Sequence, residues 1–253
     1  MFTKFTILGC GSSLGIPRID GFFGNCDPRE NKNYRTRCSG LISSGAKNIL
    51  IDTSPDIKSQ LLRHNVKKID DVFYTHMHGD QTHGINELRV FYLLQGKKIN
   101  AFADKNTRKY LEKSFTYCFN NSIGYPAIMK LKKLKKIHKY KNLLIESFPV
   151  EHGEVNSTLY LINKKCAYAS DVSYINNKYL KYLKNLKYFI IDCLRYKPHP
   201  SHLCLEEVIE LHNILNPKKT ILTNLNNEMD YKVLKKKLPS SVVPAFDGMS
   251  VLF

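Results

Sequence analysis

Asp71-Val72-Phe73-Tyr74-Thr75-His76-Met77-His78-Gly79-Asp80 is the stretch that decides the fold of this 253-residue chain. Val72, Phe73 and Tyr74 are β-branched or aromatic, the composition of a strand. Where that strand ends, two histidines separated by one residue follow, with an aspartate two positions further on. Histidines at a strand end, in a loop too tight for one plane, can turn both imidazoles onto a single cation, and Asp80 then faces a neighbouring position. Burying three such polar groups together without a cation is costly, so the pattern points to a metal site. Isolated histidines such as His64, His138 and His212 carry no such pattern and read as structural.

Working outward, strand-like segments recur at 4–8, 48–51, 71–74, 143–150, 157–162, 188–191 and 220–222, each bounded by turn residues. Helical spacing appears between them. Ile57, Leu61 and Leu62 mark 56–64, while Leu205, Val208, Ile209, Leu211 and Ile214 mark 205–215. The pattern is mixed α and β. Gly, Pro and Ser mark single turns rather than long linkers, so one domain over residues 1–253 is the economical reading.

Composition narrows the class. Hydrophobic residues at 43% and charged residues at 24% suit a chain that buries a sizeable core. No apolar run is long enough to span a bilayer, and Met1 to Gly11 enters a strand without the zones of a signal peptide, which predicts a cytoplasmic protein with no membrane partner. Seven scattered cysteines without a C-x-x-C pair predict buried, reduced thiols rather than a disulfide framework or a thiolate zinc site. The net charge of +17 attracts anions, although a lysine-rich compositional bias explains it equally well. Residues 130–141 hold seven lysines in twelve positions. They fit either a nucleic-acid contact or, as the favoured reading, a solvated face or hairpin with Leu131, Leu134, Ile137 and Tyr140 turned inward.

The run around His76 resembles the T-H-x-H-x-D-H signature of the metallo-β-lactamase superfamily. More closely it is similar to the phosphoribosyl cyclic phosphodiesterase branch, itself related to the RNA 3′-processing nucleases. The likeness extends along the chain. Residues 8–17 resemble the first strand and glycine-rich turn, Asn25-Cys26-Asp27-Pro28 with residues 35–39 an arm of that branch, and residues 51–56 the aspartate-bearing strand end behind the metal loop. The resemblance implies an α/β chain folded as a four-layer αββα metallo-β-lactamase sandwich. It also implies a first metal position formed by His76, His78, His152 and Asp171, suited to Zn or Mn, and His202 as a general acid beside the scissile phosphate.

At the second position the chain departs from that pattern. Gln81 stands where the family has histidine, Thr223-Asn224 replaces Thr-His, and Asn227 replaces a further histidine. Asp80, which belongs with His202 among the catalytic candidates, would share that position with Gln81 and Asn224. Amide oxygens are neutral, hard ligands, so at best they support Mn or Mg there rather than Zn. Three functional readings follow. The first is a metal-dependent phosphodiesterase acting on a small cyclic or nucleotide-like phosphodiester. The second enlarges that substrate to RNA, and the third is a degenerate member that binds a metal or anion without turnover. A homodimer is implied by the superfamily resemblance alone.

Overall fold

The computed structural model describes residues 2–253. Two seven-stranded sheets lie face to face. The first contains β1 (Thr3–Gly9), β2 (Ser39–Ser44), β3 (Lys47–Ile51), β4 (Asp71–Phe73), β5 (Ile99–Ala103) and β6 (Met129–Lys133), with β14 (Ser250–Leu252) on the outer side of β1. The second runs β13-β12-β11-β10-β9-β8-β7, comprising β7 (Ile137–Tyr140), β8 (Leu143–His152), β9 (Val155–Ile162), β10 (Cys166–Ala169), β11 (Tyr188–Asp192), β12 (Lys219–Thr223) and β13 (Val242–Pro244). Helices α1 (Ile57–Arg63), α2 (Gly79–Thr82), α3 (Arg89–Gln95), α4 (Lys105–Ser114) and α5 (Thr116–Phe119) arise from the first half of the chain. Helices α6 (Asn177–Leu183), α7 (Leu205–Leu215) and α8 (Tyr231–Lys237) arise from the second.

The layers follow from the two-residue side-chain period of a strand. In β9, Tyr160 and Ile162 enter the core between the sheets while Leu159 and Leu161 face the helices, and in β11 Ile190 points inward while Phe189 and Ile191 point outward. The inter-sheet core joins Phe5, Ile42, Ile49 and Phe73 of the first sheet to Ile145, Tyr168 and Ile221 of the second. A separate cluster places Leu50, Val72 and Ala101 against Ile57, Phe91 and Leu111 of α1, α3 and α4. Another places Leu222 against Leu183, Val208 and Leu234 of α6, α7 and α8. Strands buried on both faces read as continuous apolar runs, as 188–191 does. The result is the αββα sandwich that the sequence resemblance implied.

The lysine-rich segment is the solvated face of the favoured reading, with Ile137 as its exception. It is no hairpin, because β6 ends the first sheet and β7 begins the second, so the chain crosses between layers at that point. Its seven lysines are exposed; Leu131, Leu134 and Tyr140 pack inward, and Ile137 is left 42% exposed. Edge strands studded with lysine discourage pairing with other chains, which accounts for the composition without a ligand. All seven cysteines are buried and free, as expected. Among the described residues no helix is long and apolar enough to cross a membrane.

β3, β4, β5 and β6 run parallel, as do β10, β11, β12 and β13, and β8 shares the direction of β10 through two antiparallel pairings. The carboxyl ends of β3 and β4 in one sheet and of β8, β10, β11 and β12 in the other carry Asp52, the His76 loop, His152, Asp171, Asp192 and Asn224. Strand ends of this kind leave side chains free of the ladder and are where open α/β sheets hold ligands.

Candidate metal centre and substrate cleft

Asp52 builds the loop that presents His76. It takes a left-handed backbone (φ 62°) at the end of β3 and is fully buried. Its carboxylate accepts the Thr75 backbone N–H at 2.7 Å and the Thr75 hydroxyl at 2.8 Å. With its proton committed to Asp52, the Thr75 oxygen accepts from His76 Nδ1 at 3.1 Å, which leaves the His76 Nε2 lone pair facing outward from the loop. His152 is fixed in the same way, donating from Nδ1 to the Ser201 carbonyl at 2.6 Å and turning its Nε2 lone pair inward. Gly153 permits that approach, since a Cβ at this residue (φ 58°) would lie 2.8 Å from the Ser201 Cβ.

Both lone pairs meet His78, whose Nδ1 lies 2.9 Å from His76 Nε2 and 3.3 Å from His152 Nε2. One ring proton on His78 can satisfy only one of two acceptors, whereas a cation among the three nitrogens satisfies all of them. Ligand atoms of His76, His78 and His152 lie within 4.8 Å of one another, and so do those of His152, Asp171 and His202. Burial pushes His76 down to about 3, the Asp171 carboxylate opposing only in part, so that the imidazole is neutral as a ligand must be. Burial likewise lowers His152. Burial by itself would raise Asp171, but His76, His202 and His152 surround it and hold it below the ordinary aspartate range. The donor set of three imidazoles and one carboxylate fits a divalent ion of the zinc or manganese type.

The residues expected at a second position are also gathered here. Gln81 and Asn224 are buried, and both turn amide nitrogen toward carboxylate oxygen. Gln81 Nε2 donates to Asp80 at 2.9 Å and to Asp171 at 3.2 Å, leaving the buried Gln81 Oε1 without a partner among the described residues. Asn224 Nδ2 donates to Asp171 at 3.3 Å and to Asp192 at 3.2 Å. Burial, with the Asp171 charge adding to it, pushes the Asp80 carboxyl up to about 7. His83 stands apart, bonded through Nε2 to the Tyr110 hydroxyl at 2.8 Å.

His202 lies across the cleft, its ring 4.6 Å from that of His152. Its Nδ1 is 2.7 Å from Asp192 Oδ2, a fully buried carboxylate that burial pushes up to about 7 although His202 opposes the rise. Burial works against the His202 charge, yet Asp192 outweighs it and holds the imidazole above its ordinary value. The cleft encloses about 420 Å³ and is walled by Ser13, Arg18, His78, Asp171, His202 and Asn226, with Asp80, Asn227 and His199 also reaching it. Arg195 instead spends its guanidinium on the Lys197 and Pro198 carbonyls.

Three contributors escaped the sequence reading. Asp192 ends β11 just beyond the expected strand and lies ten residues before His202, so the pairing depends on the fold. The Ser201 carbonyl, as a backbone group, leaves no mark in residue identity. Arg18, ion-paired with Asp20 and stacked over Phe22, reaches the cleft from the loop after β1. The sequential spacing of Arg18, Asp20 and Phe22 was the available signal.

Comparison with known proteins agrees with this architecture. The model of the beta-lactamase superfamily domain matches residues 47–223. An octanoyltransferase from Porphyromonas gingivalis is 28% identical over 253 residues, covering 97% of this chain and 51% of that protein. A ribonuclease Z from Methanococcus maripaludis is 27% identical over 157 residues, covering 59% of this chain and 45% of the relative. The chain thus spans about half the length of the curated relatives it matches. The crystal structure of a new diphosphatase from the PhnP family superposes with a TM-score of 0.91 at 28% identity, covering 100% of this chain and 98% of the other.

Proposed function

Because this chain belongs to the beta-lactamase superfamily domain family, we propose that it is a metal-dependent phosphodiesterase acting on a small cyclic or nucleotide-like phosphodiester. It is a hydrolase of the metallo-β-lactamase superfamily, and its likeness to a PhnP-family diphosphatase supports phosphate chemistry. The single observation that carries the reading is the convergence of His76, His78 and His152 on one point, with Asp171 beside it and the His202–Asp192 pair facing the same cleft. A volume of about 420 Å³ is of the size that holds a small molecule.

In this reading His76, His78, His152 and Asp171 hold Zn²⁺ or Mn²⁺. When bound, such an ion polarises the phosphoryl group and supplies a nucleophile at neutral pH. Asp80, its carboxyl pushed up to about 7 by burial and by Asp171, accepts a proton near neutrality. His202, with Nδ1 bonded to Asp192, has Nε2 free to protonate the leaving oxygen. Arg18 reaches the rim of the cleft with its guanidinium already paired to Asp20.

A second reading, RNA as the substrate, draws on the ribonuclease Z relatives and the exposed lysines of β6 and β7. Affinity for RNA that falls steeply with salt would favour it. The first reading is tested by assaying bis(p-nitrophenyl) phosphate and cyclic phosphates with Zn, Mn or Mg added to chelated protein. Turnover restored by metal and abolished in His76→Ala is the expected outcome. Equal rates for wild type and His76→Ala would sink it.

A further inference from the structure

We infer that the second cation position of this fold is closed in this chain by the side-chain amides of Gln81 and Asn224, so that the centre holds one divalent ion. The inference rests on the first-position reading above and deepens it.

The two amides offer four N–H groups between them. Gln81 spends its pair on Asp80 and Asp171, and Asn224 turns its pair toward Asp171 and Asp192, its Nδ2 also lying 3.2 Å from His202 Nδ1, whose proton goes to Asp192. Each oxygen of Asp171 therefore receives one amide proton, and three acidic side chains are tied into a single chain by neutral donors. A cation at that place would neutralise the same carboxylates. The amide N–H groups instead solvate these carboxylates without cancelling their charge, each hydrogen bond strengthened by the carboxylate it reaches.

The orientation of these amides is dictated by their neighbours. Rotating Gln81 by half a turn would set its carbonyl oxygen against the oxygens of Asp80 and Asp171, and rotating Asn224 would do the same against Asp171 and Asp192. Among the described residues Gln81 Oε1 has no partner in its buried setting, which marks the carboxylate contacts as the stronger demand. Neither residue is free to swing aside. The Gln81 carbonyl accepts from Thr53 N at 2.7 Å and its N–H donates to the His78 carbonyl at 3.1 Å, at the start of α2. Asn224 occupies a left-handed turn (φ 58°) beyond β12, and the next residue, Leu225, donates to the Cys10 carbonyl at 2.9 Å.

An ion entering this place must displace four hydrogen bonds and would gain two amide oxygens where imidazoles serve other members of the fold. Zinc favours nitrogen and sulfur ligands, and neutral amide oxygen is a weak replacement. The leaving oxygen of a substrate would then face the His202–Asp192 pair rather than a second metal.

The test is a count of bound metal. Chelated protein is reloaded with excess Zn²⁺ or Mn²⁺, desalted, and measured by elemental analysis for wild type, His76→Ala and the double variant Gln81→His/Asn224→His. Expected are one ion per chain in wild type, none in His76→Ala and two in the double variant. Two ions in wild type would overturn the inference, and a double variant that stays at one would show that the amides are not what excludes the second ion. Zero ions in wild type would instead refute the first-position reading. Should the double variant fail to fold, electron paramagnetic resonance of Mn-loaded wild type decides. An isolated-ion spectrum is expected, and an exchange-coupled pair contradicts it.

Discussion

Replacing His202 by alanine should slow hydrolysis in proportion to how badly the leaving group needs a proton. The His202 side chain is 15% exposed and its Nδ1 is 2.7 Å from a fully buried Asp192, so its Nε2 is held at one orientation in the cleft. A positioned general acid contributes roughly 10²- to 10⁴-fold in rate. His202→Ala should forfeit that factor on a cyclic phosphate, whose leaving group is a poor alkoxide, and far less on bis(p-nitrophenyl) phosphate, whose leaving group departs unprotonated. Asp192→Asn should fall between the two. It removes one charge-assisted hydrogen bond of about 1.5–3 kcal/mol, equivalent to roughly a 10- to 150-fold loss, while its amide still meets the ring. Steady-state kcat and KM on both substrates, with matched metal content, supply the assay. Equal losses on the two substrates would refute the assignment of His202 as proton donor and mark it as a group that only shapes the cleft.

Asp52→Ala strands the buried Thr75 N–H and should cost about 1–3 kcal/mol of stability, and by freeing the His76 ring should weaken zinc binding ~10- to 100-fold; thermal unfolding and a competitive zinc titration measure the two effects. Chelation should lower Tm, since a ligand at a thousand times its Kd stabilises by about 4 kcal/mol, and the drop should vanish in His76→Ala. Away from the cleft, burial would raise Asp70, but the Asn48 N–H with Lys68 and Lys47 outweighs it and holds the carboxyl below the ordinary range. A lowered folded-state value stabilises the fold above the ordinary aspartate range and ceases to do so as pH falls through it. Asp70→Asn should therefore lower Tm at neutral pH, with the gap to wild type closing in acid.

Much of the sandwich was legible because its central strands announce themselves. Tyr188–Asp192 centres on the apolar Phe189-Ile190-Ile191 and Lys219–Thr223 on Ile221-Leu222 between β-branched threonines, and the sequence pattern places each strand to within one residue. Cys166–Ala169 was not, since four small or aromatic residues lack any alternation. Met129–Lys133 and Ile137–Tyr140 were hidden by their lysines, which sit on exposed edges where solvent sets composition and register leaves little trace. The His76 loop was legible because both imidazoles and Asp80 lie within five residues. The pairing of His202 with Asp192 and the clasp of Asp171 by Gln81 and Asn224 were not, because they depend on which atom of a side chain faces which neighbour after strands distant in sequence are brought together. Residue types alone marked Gln81 and Asn224 as unusual; only the fold shows that they present nitrogen rather than oxygen.

The most direct test is a crystal structure of zinc-loaded protein with anomalous scattering recorded across the zinc edge. The expected result is a single strong peak about 2.0–2.2 Å from one nitrogen each of His76, His78 and His152 and from a carboxylate oxygen of Asp171. A peak elsewhere, or none at that point with zinc in excess, would contradict the assignment of this cluster as the metal centre.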